Sequence, residues 1–140
     1  MGTVKFVECD PPATQADVDE LERRLGFRVP RGVRHLLTNA NGGRPEPSTF
    51  RSPNVCTDVS ACLTLRDGRG SIWWAYDLLI LSKKAAPNYY LPFAYDSGGN
   101  DFLVDCRSDE GPVAILYHDP NFEVQELGVN LAEFWDHLTS

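Results

Sequence analysis

The longest regular pattern in the chain runs over residues 91–118, where side chains alternate with a period of two. Phe102, Val104 and Cys106 alternate with Leu103 and Asp105; Val113, Ile115 and Tyr117 alternate with Ala114, Leu116 and His118. That period sends successive side chains to opposite faces, as in a strand held between a core and a second surface. Two breaks divide the stretch. Asp96-Ser97-Gly98-Gly99-Asn100 supplies residues that tolerate positive φ, and residues 107–112 are polar, contain Gly111 and end in a proline with no N–H to donate. The pattern predicts a three-stranded antiparallel meander.

Helical periods flank it. Thr14 and Asp17 form an acidic variant of the capping box, and Val18, Leu21 and Leu25 then fall on one face. Asp19–Arg23 and Glu20–Arg24 are favourable i,i+4 pairs on the outer side. Gly26 is the expected stop, followed by Phe27 as its apolar contact. Pro30 opens a second helix, whose buried stripe is Val33, Leu36, Leu37 and Ala40 and whose end is Asn41-Gly42-Gly43. Gly32 inside it costs roughly 1 kcal/mol of helix propensity relative to alanine. Near the C-terminus, Asn130 and Glu133 predict a capped helix with Leu131, Phe134, Trp135 and Leu138 as its apolar face.

Elsewhere the pattern is weaker. Residues 3–8 read as a short edge strand or an unstructured lead-in. Residues 44–70 are interrupted by Pro45, Pro47, Pro53, Gly68 and Gly70, and within them the signals over 55–65 conflict between a short strand and a helical turn. Residues 72–76 are expected to form a buried strand, 78–81 a short helical or extended piece, 85–90 a connecting loop, and 122–127 a further strand after the turn at Asp119-Pro120-Asn121.

Composition narrows the class. At 140 residues, with 42% hydrophobic and 24% charged side chains, the chain is expected to be one soluble globular domain. No apolar run approaches the roughly 20 residues of a membrane helix. The first residues carry no basic segment followed by an apolar one, so no secretory signal is expected, and Phe6 stands where a myristoylation motif after Met1-Gly2 needs serine or threonine. The net charge of −7 is uneven: residues 1–70 sum to +1 and residues 71–140 to −8. So acidic a half repels nucleic acid and anionic membranes and attracts basic partners. The second helix offers only Arg31, Arg34 and His35 to DNA, too little for a recognition helix.

Candidate chemistry is sparse. Cys9, Cys56, Cys62 and Cys106 show no CxxC spacing, so free thiols in a reducing cytosol are expected and a zinc site is not. A Cys/His nucleophile pair would need Cys106 near His118 or His137, but its place in line with Phe102 and Val104 marks a buried, inert thiol. Asp105 and Asp119 would be the carboxylate pair of a hydrolase, but acids this dense more often form a solvated face. There is no G-x-S-x-G elbow, phosphate loop or dinucleotide fingerprint, so no catalytic residue, metal or cofactor is assigned.

The ordered set of motifs resembles the SUKH superfamily. Leu25-Gly26, Val29-Pro30 and Asn41-Gly42-Gly43 resemble its LG, LP and NGG signature. Pro92-Phe93-Ala94-Tyr95-Asp96 with Gly98-Gly99-Asn100, then Pro112-Val113, His118-Asp119, Phe134 and Leu138, are similar to its later motifs. Val29 replaces the usual leucine, Val33 a common aromatic, and residues 44–70 match nothing in the pattern. The resemblance implies an α+β fold, a mixed or antiparallel sheet with an N-terminal helix pair and a C-terminal helix packed on it. It implies a bacterial, cytoplasmic immunity protein that binds and blocks a cognate toxin domain, often a nuclease, or alternatively a regulatory adaptor with no toxin partner. A monomer or weak homodimer without a cofactor is expected.

Nucleases hold phosphate in basic clefts, which an acidic protein face can fill. The candidate contact residues are therefore Asp96, Asp101, Asp105, Asp109, Glu110, Asp119, Glu123 and Glu126, with Tyr89 and Tyr90 in a loop as anchors. Of Trp73 and Trp74, adjacent in an expected strand, one is assigned to the core. Gly26, Pro30, Asn41, Gly42, Gly43, Gly98, Gly99 and Asn100 are read as structural: helix stops and a tight turn.

Overall fold

The computed structural model describes residues 4–66 and 68–140, so the readings on Met1-Gly2 and Thr3 lie outside the described residues. In chain order the elements are β1 (Lys5–Val7), α1 (Gln15–Leu25), α2 (Arg31–Ala40), β2 (Arg44–Glu46), β3 (Thr49–Arg51), β4 (Cys56–Asp58), β5 (Ala61–Cys62), α3 (Ile72–Tyr76), a π-helical turn (Asp77–Ser82), β6 (Tyr90–Tyr95), β7 (Asp101–Asp105), β8 (Pro112–Tyr117), β9 (Glu123–Asn130), α4 (Leu131–Asp136) and β10 (Leu138–Thr139). The architecture is α+β, as the resemblance implies.

The predicted meander is β6, β7 and β8, the centre of an antiparallel sheet ordered β5-β6-β7-β8-β9. Its strands are buried on both faces. Phe102, Val104 and Ile115 point one way, Leu103, Ala114 and Leu116 the other, and all six are inaccessible to solvent. On the first face Phe134 of α4 packs against Phe102, with ring centres 5.2 Å apart, and stacks on Phe50 of β3 at 5.0 Å. Phe93 joins them edge-on.

The helix ends follow the sequence. Thr14 and Asp17 cap α1 reciprocally, as Asn130 and Glu133 cap α4, and Gly26 closes α1 in the left-handed region at φ +82°. Pro30 is the N-cap of α2 rather than its first helical residue. On α1 the expected ion pairs are partly redrawn: Glu20 binds Arg23 and Arg24, while Asp19 reaches Arg34 of α2 at 3.3 Å. Arg34 also binds Glu22 at 2.7 Å, so the pairs tie two helices together instead of lacing one. Gly32 allows a close approach: a Cβ there would lie 3.0 Å from Leu131 of α4. The Asn41-Gly42-Gly43 stop is also a junction. Asn41 is buried, donates to the Pro11 carbonyl and accepts from the Leu65 amide, and a Cβ on Gly43 would lie 2.6 Å from the Cys9 sulfur.

Three expectations are corrected or sharpened. The stretch 72–76 is a helix, not a strand. Ser71 caps it by accepting from the Trp74 amide, and its buried residues Ile72, Ala75, Tyr76, Leu79 and Ile80 recur at helical spacing through the π-helical turn. The strand argument for the tryptophans falls with it: Trp73 is half-buried under Arg24, and Trp74 is 40% exposed. The interval 44–70 carries four short strands. Of these β2 pairs with β1, making β1 the edge strand expected, while β3 joins β4 and β10, and β5 joins β6. The fourth strand of the acidic half begins at Glu123, leaving Phe122 outside it, 39% exposed against His118.

Removing Phe134, which touches Phe50, Phe93 and Phe102, leaves a cavity at the centre of the fold. Phe134→Ala is expected to lower the unfolding free energy by about 3–5 kcal/mol in denaturant titration, and Phe122→Ala by no more than about 0.5 kcal/mol.

Candidate functional site

A strand buried on both faces has room for charge only at its ends, so the placement of the eight acids follows the sheet. They divide into two groups at opposite ends of the meander, separated by the length of β8, about 16 Å at 3.3 Å per residue. Asp96, Asp101, Asp119 and Glu123 lie at the end formed by the β6–β7 and β8–β9 turns. Asp105, Asp109 and Glu110 lie at the end formed by the β7–β8 turn, and Glu126 sits between the groups on β9, opposite Ala114.

Three of the expected contact residues are not on the surface. Asp96 is 4% exposed and accepts from the Gly98 and Asn100 amides, the Asn100 side chain and the Thr57 hydroxyl. Its carboxylate organises the turn that Gly98, Gly99 and Asn100 make, because the amides of a tight turn converge on one acceptor. Tyr90 is the first residue of β6 rather than a loop residue, and it is 5% exposed. Asp105 is 7% exposed and is held by Arg107, whose backbone N–H donates at 2.9 Å and whose guanidinium donates at 2.8 Å. Asp101 is mostly covered and lies 2.8 Å from His118 Nε2. Burial raises its carboxyl above the ordinary range, and the His118 contact opposes that rise.

The β7–β8 end carries the more developed site. Arg107 stacks over the Tyr89 ring at 3.7 Å, and Tyr89 lies 4.9 Å from Tyr90. Around them is an open cleft of about 410 Å³, lined by Tyr90, Asp105, Arg107, Glu110, Glu126 and Glu133. Arg107 is the residue that sequence reasoning passed over. Strand periodicity gave no signal for it, because the strand ends at Asp105 and Arg107 lies in the turn that follows, where its own amide folds back onto the Asp105 carboxylate. Asp109 is exposed but engaged, accepting from the Arg31 amide at 2.9 Å and lying 3.3 Å from its guanidinium. Glu110, Asp119, Glu123 and Glu126 are exposed, and their carboxylates take no hydrogen bond or ion pair among the described residues. They belong to a run, residues 108–140, with seven carboxylates and no lysine or arginine.

A larger cleft of about 550 Å³ lies across the helices, lined by Arg31, Arg34, His35, Leu131 and Trp135. Its two arginines are already tied to Asp109, Asp19 and Glu22 of the chain itself.

Neither cleft assembles a reaction centre. Cys106 follows β7 while His118 follows β8, which puts them at opposite ends of paired antiparallel strands, and the same separation divides Asp105 from Asp119. His137 points its Nδ1 at the Arg51 carbonyl at 3.0 Å. Burial, with the neighbouring Asp105 charge, pushes the Cys106 thiol up to about 12, so it is protonated at neutral pH. No group of histidine, cysteine and carboxylate side chains among the described residues is arranged to hold a metal ion, and no helix among them is long and apolar enough to cross a membrane.

The family model of the SMI1 / KNR4 family (SUKH-1) matches residues 12–137. No curated protein matches the chain.

Two measurements follow from this geometry. Titration with a thiol reagent at pH 8 is expected to give two fast cysteines, the exposed Cys9 and Cys56, and two slow ones, Cys62 and Cys106, whose thiols are both pushed up to about 12. For Asp105, burial raises the carboxyl, but the hydrogen bonds from Arg107 outweigh it and hold the group below its ordinary value. A depressed carboxyl stabilises the fold above its unfolded value, and that gain fades as pH falls through the folded one. Arg107→Ala is therefore expected to raise the Asp105 titration above the ordinary range by NMR. Its stability deficit should be present at pH 7 and close as the solution is acidified below pH about 4.

Proposed function

The chain belongs to the SMI1 / KNR4 family (SUKH-1), and from that premise we propose that it is an immunity protein that binds and neutralises a cognate toxin domain, of nuclease type, through its exposed carboxylates. Members of this family are in general immunity proteins or related regulators that act by binding rather than catalysis. The observation that carries the proposal is the separation between acids that the fold uses and acids that it leaves over. Asp96, Asp101 and Asp105 are spent on turns and partners inside the sheet. Glu110, Asp119, Glu123 and Glu126 keep their charge for solvent, in the run without lysine or arginine.

The physical action is exclusion. Carboxylates on a stiff sheet occupy the basic cleft that a nuclease uses for phosphate, and long-range attraction speeds their encounter. Tyr89, stacked under Arg107, adds an aromatic contact next to the cleft that Arg107 and Glu110 line. The proposed setting is the bacterial cytoplasm, where such a toxin acts, with the protein as a monomer or weak homodimer, no cofactor, and no nucleic acid or membrane as its own ligand. A regulatory adaptor of the same family would use the same surface on a cellular protein.

Co-expression with the toxin domain encoded in the adjacent gene tests the reading: growth is expected with this protein and arrest without it. Glu110→Lys with Glu126→Lys is expected to slow association about tenfold at low salt, with the difference shrinking as salt is raised. Continued arrest in the presence of the folded wild-type protein would overturn the proposal.

A further inference from the structure

β9 is the longest strand and lies at an edge of the five-stranded sheet. Its inner side pairs with β8, Glu123 opposite Tyr117 and Glu126 opposite Ala114. In an antiparallel pair every second residue turns its N–H and C=O outward. Among the described residues nothing takes up those outward groups: apart from β8, no backbone or side-chain partner hydrogen-bonds residues 123–129. The opposite edge is closed differently. β5 is two residues long, and its Cys62 amide donates to the Gly43 carbonyl at 2.9 Å.

Proteins usually blunt such an edge with charged side chains, lysine above all, with proline or with a bulge. Residues 123–126 contain no lysine or proline, and the register shift opposite Pro112–Ala114 comes only after them, so the edge is guarded by negative charge alone. Their charge is of one sign, Glu123 and Glu126, with no lysine or arginine on the strand. Two copies of β9 paired edge to edge would bring glutamates within a rung or two of each other, which is unfavourable. Glu123 and Glu126 are three apart in an unbroken register and so stand on opposite faces; a strand bearing lysine or arginine three positions apart would meet opposite charge on each face and complete the ladder.

We propose that β9 is a docking edge that adds an extended basic segment of the partner protein as a sixth strand. The inference rests on the reading that exposed acids recognise a basic partner, and it adds the mode of contact: backbone hydrogen bonds fix register while Glu123 and Glu126 select charge.

The test uses the intact protein, labelled with ¹⁵N, and two synthetic probes of equal charge: an acetylated, amidated heptapeptide with lysine at its third and sixth positions and valine elsewhere, and one with the same lysines and glycine elsewhere, which is a poor strand former. With the first probe at about nine times its Kd, every second amide along residues 123–127 is expected to exchange roughly tenfold more slowly, since the free fraction falls as 1 + [L]/Kd. Exchange in β7 should be unchanged. The lysine–glycine probe should shift signals near the carboxylates without protecting β9. If both probes shift those signals and neither protects β9, the docking edge is overturned and the acidic reading survives. If neither probe perturbs the acidic residues, both fall. Protection of β9 that rises with protein concentration in the absence of peptide would overturn the proposal in favour of self-pairing.

Discussion

The central strands of this protein have no wet face. Because β6, β7 and β8 carry apolar side chains to both sides, a charge inside them must be matched or excluded. Asp101 and Asp105 stand at the two ends of β7, and each is matched, one by His118 and the other by Arg107. Asp96, just past β6, is matched by turn amides and the Thr57 hydroxyl. All remaining negative charge of the meander is pushed into the turns and onto the edge strand. The acidic surface is therefore a product of how the sheet is buried, and its position is as rigid as the sheet.

That division gives the acids two different physical roles. The buried ones hold turns and strand ends in place and would lose their partners if drawn out to meet another protein. Glu110, Asp119, Glu123 and Glu126 have no side-chain partner among the described residues, so they can take one without cost to the fold, which suits recognition. Arg107 links the roles: it neutralises Asp105 inside and, stacked on Tyr89, stiffens the rim of the cleft next to Glu110. The helical side is self-contained, with Arg31 and Arg34 occupied by Asp109, Asp19 and Glu22.

Much of the fold was legible because local and global signals agree. Thr14–Asp17 and Asn130–Glu133 cap their helices as read, and the period-two stretch became three consecutive strands. The stretch 72–76 was misread because two tryptophans and an isoleucine favour strand, whereas Ser71 and the recurrence of buried residues every three or four positions favour helix. The strands in 44–70 were hidden because each is only two or three residues long and is held by a distant partner; β10, for example, supplies the pairing for β3. The site was legible as a composition but not as a surface. Sequence groups Asp96 and Asp101 with the exposed acids and Tyr90 with Tyr89, while the fold buries Asp96 and Tyr90 and covers most of Asp101. Arg34 meeting Asp19 rather than serving nucleic acid likewise depends on packing between helices.

The proposed recognition uses the carboxylates left over at the β7–β8 turn, the β8–β9 turn and β9. Hydrogen exchange by mass spectrometry on the protein with and without the proposed toxin partner is the decisive measurement. New protection is expected over residues 108–112 and 119–127, with α1 and α2 unchanged. Protection confined to the cleft of α2 and α4, around Arg31, His35 and Trp135, with the acidic turns still exchanging freely, would contradict it.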